Sequence, residues 1–256
     1  MTAGVLRLAE LSWPQVRAAL DAGRRTALFA VGSTEQHGPH LPLCADTLLG
    51  DALVARLAPR LGDVVVGPTV PFGVATHHMA FPGTLTLDTE TFQAVVLQYV
   101  RSLAGHGFET VLVVPSHGGN FGPLGQLLES TGGVVGGARF VPYTDLTAFI
   151  AVLERVGRDD GIPPEVGGVH AGEAETSILL AERPDLVDMS AAVRGFDGVF
   201  DDETARRVFS GGTAALSENG VLGDARPADA ARGARYLDAL TDLLVAHFAP
   251  VLEGRP

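Results

Sequence analysis

Short aliphatic and β-branched runs alternate along this chain with longer stretches whose apolar positions recur every three or four residues. The pattern predicts a helix over 13–22, opened by Ser12 as N-cap with Pro14 in its first turn, and then a buried strand over 26–31. A helix at 46–61, a strand at 63–66 and an irregular Gly/Pro segment at 67–83 follow. Phe92, Val95, Val96, Tyr99, Val100 and Leu103 repeat at helical spacing within 89–105, ahead of a strand at 110–114. A strand at 139–141 and helices at 146–156, 173–181 and 227–248 complete the readable elements. The GGVVGG run at 132–137 reads as a flexible turn before a strand, 157–169 holds a loop, and 185–217 is the least decipherable part.

Strands joined by helices of this length predict parallel pairing. The expected fold class is α/β, a three-layer α/β/α sandwich with a mostly parallel central sheet and function at the carboxyl ends of the strands. No internal repeat, low-complexity tract or linker divides the 256 residues, so one domain is expected.

Composition narrows the function classes. A formal charge of -12 argues against a nucleic-acid surface and offers no basic patch to anionic membranes. Residues 1–25 lack a basic start with an uninterrupted apolar stretch, and no run of about 18 apolar residues occurs elsewhere, so a cytoplasmic location is expected. The one cysteine, Cys44, reads as a small buried side chain rather than a ligand or nucleophile. There is no G-x-S-x-G elbow, no G-x-x-x-x-G-K-[ST] loop, and no G-x-G-x-x-G after the first strand. Serine hydrolase, nucleotide hydrolase and dinucleotide oxidoreductase readings therefore lack their parts.

Four segments carry chemistry. GSTEQHGPHLPLCADT at 32–47 directly follows the 26–31 strand and sets Glu35, His37 and Asp46 on a loop stiffened by prolines. Such side chains hold hard or borderline divalent cations, so this segment reads first as a metal site. Ser116-His117-Gly118-Gly119-Asn120 follows the 110–114 strand after Pro115. It suits a metal ligand beside an oxyanion pocket, or else a tight strand-to-helix turn with His117 merely hydrogen-bonded. HAGEAETS at 170–177 opens a helix on which Glu175 points toward the sheet's upper edge, with Glu173 about 200° around from it, read as a solvated helix-start charge. The loop at 73–84 carries His77 and His78, of which at most one is expected to face a common site; His78 is the candidate substrate contact.

Taken with FPGT at 81–84 and ENGVLGD at 218–224, these segments resemble the creatininase (creatinine amidohydrolase) family over about residues 26–225. The resemblance implies an α/β sandwich assembled as a homohexamer, with two divalent metals per chain at the strand ends, cleaving amide C–N bonds of a small-molecule substrate. Carried onto matching positions, Glu35 would ligate one metal, His37 the other, Asp46 would bridge both, and His117 would complete the first. True creatininases carry a glutamate two residues after that histidine, where this chain has Gly119. The expected replacement is Glu175, either as ligand or as a partner orienting His170 or a water. Zn, Mn and Fe(II) all suit this donor set.

The implied mechanism is attack by a hydroxide bridging the two cations. Gly118 and Gly119 amides, with Asn120 and His78, would contact substrate. His170 would deliver a proton to the leaving nitrogen, its bland alternative being a hydrogen bonder near a helix start. Relatives with HGGN, as here, include formamide hydrolases and the peptidase that trims the mycofactocin precursor. The expected function is amidohydrolysis of a small cyclic or formyl amide. A peptidase trimming a short C-terminal tail, or a non-catalytic metal-bound oligomeric binding protein, are the alternatives.

Overall fold

The computed structural model describes residues 5–253. A six-stranded sheet forms from Leu6–Arg7 (β1), Thr26–Val31 (β2), Val64–Val66 (β3), Thr110–Pro115 (β4), Val134–Val135 (β5) and Ala138–Pro142 (β6), in the order β1-β3-β2-β4-β6-β5. All neighbours pair in parallel except β5 and β6, which form an antiparallel hairpin. The expected flexible turn at 132–137 is therefore corrected. Gly132 caps the preceding helix in the left-handed region, Val134–Val135 is a strand, and Gly136 and Gly137, at φ of 60° and 89°, make the tight hairpin turn.

The helices are Trp13–Asp21 (α1), Ala45–Leu61 (α2), Thr89–His106 (α3), Gly118–Thr131 (α4), Leu146–Asp159 (α5), Pro164–Gly167 (α6), Glu173–Glu182 (α7), Asp202–Gly211 (α8) and Ala230–Glu253 (α9). Ser12 and Gln15 close a reciprocal capping box at α1, and Asp88 caps α3 by accepting from the Thr91 amide. The sequence pattern does not predict α4, α6, α8, β1 or β5. In α4 the glycines and Pro123 lower helix propensity, and packing decides the outcome.

Every residue of β2 and β4 is buried, as two-sided coverage requires. Alternation splits the core. Leu28 and Ala30 join α2, α5, α7 and α9 on one face, while Ala27, Phe29 and Val31 join α1 and α3 on the other. β2 leads through α2 to β3 on its one side, whereas β4 lies on its other side. The loops after β2 and β4 therefore diverge and leave a crevice at their carboxyl ends, where open α/β sheets place ligands. Among the described residues no helix is long and apolar enough to cross a membrane.

Candidate metal centre

The crevice collects side chains from all four segments singled out in the sequence. Glu35 and His37 come from the loop after β2, Asp46 from the first turn of α2, His117 from the N-cap of α4, His170 from the segment before α7, where it bridges Leu222, and Glu175 from the first turn of α7. His78 reaches in from a short 3-10 turn, Thr76–His78. Ser116 holds the crevice shape, its hydroxyl donating 2.7 Å to the Asp46 carbonyl and so tying β4 to α2.

The donor atoms face one another without hydrogen bonds between them. His117 Nδ1 lies 3.2 Å from Glu35 Oε2 and 3.1 Å from Asp46 Oδ2; His37 Nε2 lies 3.3 Å from Asp46 Oδ1 and 3.8 Å from Glu175 Oε2. Both Glu35 oxygens, Asp46 Oδ2 and His37 Nε2 are buried with no hydrogen-bond partner. Buried polar atoms are ordinarily satisfied, so a group of such orphans calls for a shared partner. Donors bonded at about 2.1 Å around one tetrahedral cation stand roughly 3.4 Å apart, which is the spacing seen. Two groups share Asp46: Glu35, Asp46 and His117, and His37, Asp46 and Glu175; a third joins Glu35, His37 and His170.

The far nitrogens fix the imidazoles. His117 Nε2 donates 3.1 Å to the Val74 carbonyl and His37 Nδ1 donates 3.2 Å to the Glu35 carbonyl, which leaves Nδ1 and Nε2 lone pairs, respectively, aimed at the carboxylates. Backbone carbonyls orient metal-ligating histidines in the same way. Without a cation, the charges shift strongly. Burial pushes the His37 imidazole down, but the Asp46 carboxylate beside it prevails and lifts it to about 10. His117 is likewise disfavoured by burial yet held well above the usual imidazole range by Glu35 and Asp46. Burial raises the Glu175 carboxyl to about 7, partly offset by His37.

His170 is different. Burial, aided by the nearby His37, keeps it neutral. The Gln36 side-chain amide nitrogen lies 2.8 Å from His78 Nδ1, 2.9 Å from His170 Nε2 and 3.2 Å from the Gly220 carbonyl. His170 Nε2 is closer still, at 2.7 Å, to the Gln36 carbonyl oxygen, which can only accept, so Nε2–H donates there and the Nδ1 lone pair lies toward Glu35, 3.7 Å from Oε1. Gln36 is a residue the sequence reading passed over, although it lies inside the first motif.

Several expectations are corrected. Asn120 is fully buried and spends its amide on backbone, accepting from the Val74 amide and donating to the Val31 and Gly32 carbonyls. It clamps three loops and does not reach the cavity as a substrate contact. Glu173, expected in solvent, is completely buried, because it accepts from Ser177, Arg232 and Tyr236, a network that anchors α7 on α9. Both His77 and His78 line the cavity, since their short 3-10 turn brings the two rings within 4.2 Å of each other, tilted at 53°, instead of sending them to opposite faces. Cys44 is only partly buried, at the N-cap of α2.

Gly119 explains the missing glutamate. A Cβ there would run into the Val74 carbonyl oxygen and sit 2.5 Å from His117 Nε2. This backbone has no room for a side chain at that place, and Glu175 approaches from α7 instead. The loop conformation is reinforced by Ala171, at φ 52° the one non-glycine in the left-handed region among the described residues, whose amide donates 2.6 Å to Glu175 Oε2.

A cavity of about 180 Å³ opens onto these groups, with Gly118 and Gly119 at its edge. The first amides of a helix have no intrahelical acceptor, so those of Gly118 and Gly119 are free to meet a developing anion.

Comparison with known proteins agrees with this architecture. The family model for creatininase, creatinine amidohydrolase, matches residues 9–248. A mycofactocin precursor peptide peptidase of Mycolicibacterium smegmatis is 38% identical over 216 residues, 81% of this chain and 78% of that protein. A creatinine amidohydrolase of Pseudomonas putida is 28% identical over 260 residues, 94% of this chain and 96% of that protein. A solved creatininase superposes with a TM-score of 0.80 at 26% identity, covering 99% of this chain and 100% of the other. Solved relatives include a Zn-Zn form at 25% identity, covering 98% and 99% of the two chains with TM-score 0.79, and a manganese form at 26%, covering 97% and 99% with TM-score 0.76.

Proposed function

This chain belongs to the creatinine amidohydrolase family, and on that premise we propose that it is a dinuclear metal enzyme hydrolysing an amide C–N bond at the crevice after β2 and β4. The observation that carries the reading is Asp46, whose two oxygens face separate donor groups. Glu35, Asp46 and His117 would hold one divalent cation, and His37, Asp46 and Glu175 the other. Such cations supply Lewis acidity, polarising the scissile carbonyl and bringing water from a pKa of about 15.7 toward neutrality.

The chain's own groups do the rest. The Gly118 and Gly119 amides donate to the oxyanion as the carbonyl carbon becomes tetrahedral, a contribution of roughly 3 kcal/mol when aligned. His170 Nδ1, held as an acceptor by Gln36, takes the proton of the attacking water and passes it to the leaving nitrogen. The order refines the simple acid role: the imidazole is neutral at the outset and becomes the acid only after acting as base. Water thus adds OH to the carbonyl carbon and H to the nitrogen.

Zinc and manganese, named for solved relatives, fit the O/N donor set, as does iron(II). The reading extends to a cytoplasmic homohexamer built from one domain per chain; Leu43 and Leu85, 39% and 52% exposed on neighbouring loops, offer apolar area for such contacts. Between amide classes, the identity to a mycofactocin precursor peptide peptidase favours a short peptide over a formyl or cyclic amide. The test is hydrolysis of representatives of these three classes by zinc- or manganese-loaded protein. Turnover of one class, abolished in Asp46→Asn, supports the reading; unchanged turnover in Asp46→Asn, or binding without any turnover, contradicts it.

A further inference from the structure

Resting on the two-cation reading, we propose that His40 is a positioning residue for the donor group of His37, Asp46 and Glu175: through Thr176 it sets where α7 holds Glu175 opposite His37. His40 stands three residues after His37 on the loop that follows β2, and Thr176 directly follows Glu175 in the first turn of α7. His40 Nε2 lies 2.8 Å from Thr176 Oγ1, and that hydroxyl spends its proton on the Gly172 carbonyl at 2.6 Å. The imidazole is therefore the donor, with its proton on Nε2. Its backbone carbonyl also accepts from the Asp188 amide at 2.9 Å, so α7 is fastened to this one residue at its first turn and again beyond its end.

The other ring nitrogen argues against a packing role. His40 is 2% exposed, and its Nδ1 is buried without a hydrogen-bond partner against Gly38, whose backbone turns at φ 66°. A buried acceptor left bare costs free energy, and an apolar side chain of similar shape would avoid that cost. What the imidazole supplies in return is the Nε2–H. Burial, with His37 close by, lowers the ring to about 4, so at neutral pH it is uncharged and its one proton stays with Thr176.

Glu175 is the donor that needs such a brace. The side chains of Glu35, His37, Asp46 and His117 are 4% exposed or less, whereas that of Glu175 is 21% exposed. Its Oε2 accepts from the Ala171 amide, which fixes it to the start of α7 but not to the loop after β2. Because Gly119 leaves no room for a carboxylate from α4, the second cation depends on how α7 sits against that loop, with His37 Nε2 and Glu175 Oε2 3.8 Å apart. The contact of Gln36 with His170 ties the loop to the segment ahead of α7; the bond from His40 to Thr176 ties it to the helix itself, one residue from Glu175.

The experiment titrates zinc into the metal-free full chain against a chromophoric chelator, which resolves the two binding steps, for the wild type, Thr176→Val, Thr176→Ser and His40→Gln. Valine keeps the shape of threonine and deletes the acceptor; serine keeps the acceptor, and a glutamine amide can place an N–H where Nε2 stands. Thr176→Val is expected to weaken one zinc step by at least about tenfold and to leave the other within about twofold, with the serine and glutamine variants close to wild type. In a Glu175→Gln background the same change should alter zinc binding no further. A hydroxyl that serves stability alone would lower the melting temperature and leave both steps in place; that result, or equal weakening of both steps, overturns the proposal. Imidazole nitrogen-15 shifts of the wild type need no variant to fold, and a proton found on Nδ1 of His40 overturns it as well. Fewer than two zinc ions bound by the wild type would contradict the dinuclear reading itself, whereas two bound, with Thr176→Val indistinguishable, contradict the positioning role alone.

Discussion

His37 Nε2 lies 3.3 Å from Asp46 Oδ1, yet the nitrogen has no hydrogen-bond partner. Two buried groups of opposite sign at that distance would align a hydrogen bond if a proton were all they had to share. Their arrangement instead suits a cation between them.

Metal uptake should release protons. In the metal-free protein both His37, lifted to about 10, and His117, held well above its usual range, carry protons at pH 7.5. Ligation requires the neutral imidazoles, so binding two cations should expel close to two protons, and affinity should fall as pH falls below the raised values. Titration calorimetry in buffers of different ionisation enthalpy counts them; zero protons released would show that neither imidazole is a ligand.

Glu175→Gln should leave the group of Glu35, Asp46 and His117 complete while removing a donor from the other. The expected result is loss of about one metal per chain with little change in the melting temperature. Retention of both metals would assign Glu175 to orienting His170 or a water.

His170→Ala should lower turnover by at least roughly tenfold with metal content unchanged. Loss of metal would instead place His170 among the ligands, as its grouping with Glu35 and His37 allows.

Glu173→Ala should destabilise the fold by roughly 2 kcal/mol, since it leaves the buried Tyr236 and Ser177 hydroxyls without their acceptor and takes one carboxylate from Arg232, which keeps Asp160 at 3.0 Å. Denaturant unfolding checks this. A change below about 1 kcal/mol would mean that the α7–α9 network contributes little.

Much of this was legible because the chemistry sits in contiguous motifs directly after buried strands. The run TALFAV announces β2 and the residues after it announce the site; TVLVVP does the same for β4 and His117. What the sequence hid depends on contacts between segments. The burial of Glu173 is decided by Arg232 and Tyr236, some 60 residues away, and helical position alone suggested solvent. Asn120 is expected at the substrate from the family resemblance, but its amide is taken by carbonyls of the β2 loop. The helix α8, whose Phe209 lines the cavity, begins in the segment with no readable period. Gln36 needed the placement of His78 and Gly220 before its role could be seen.

The most direct test of the central claim is the divalent metal content per chain, by inductively coupled plasma mass spectrometry, in protein purified without added metal or chelator. The account predicts about two Zn, Mn or Fe per chain, falling to nearly none in Asp46→Asn, because both donor groups depend on that carboxylate. No bound metal, even after reconstitution, would contradict it.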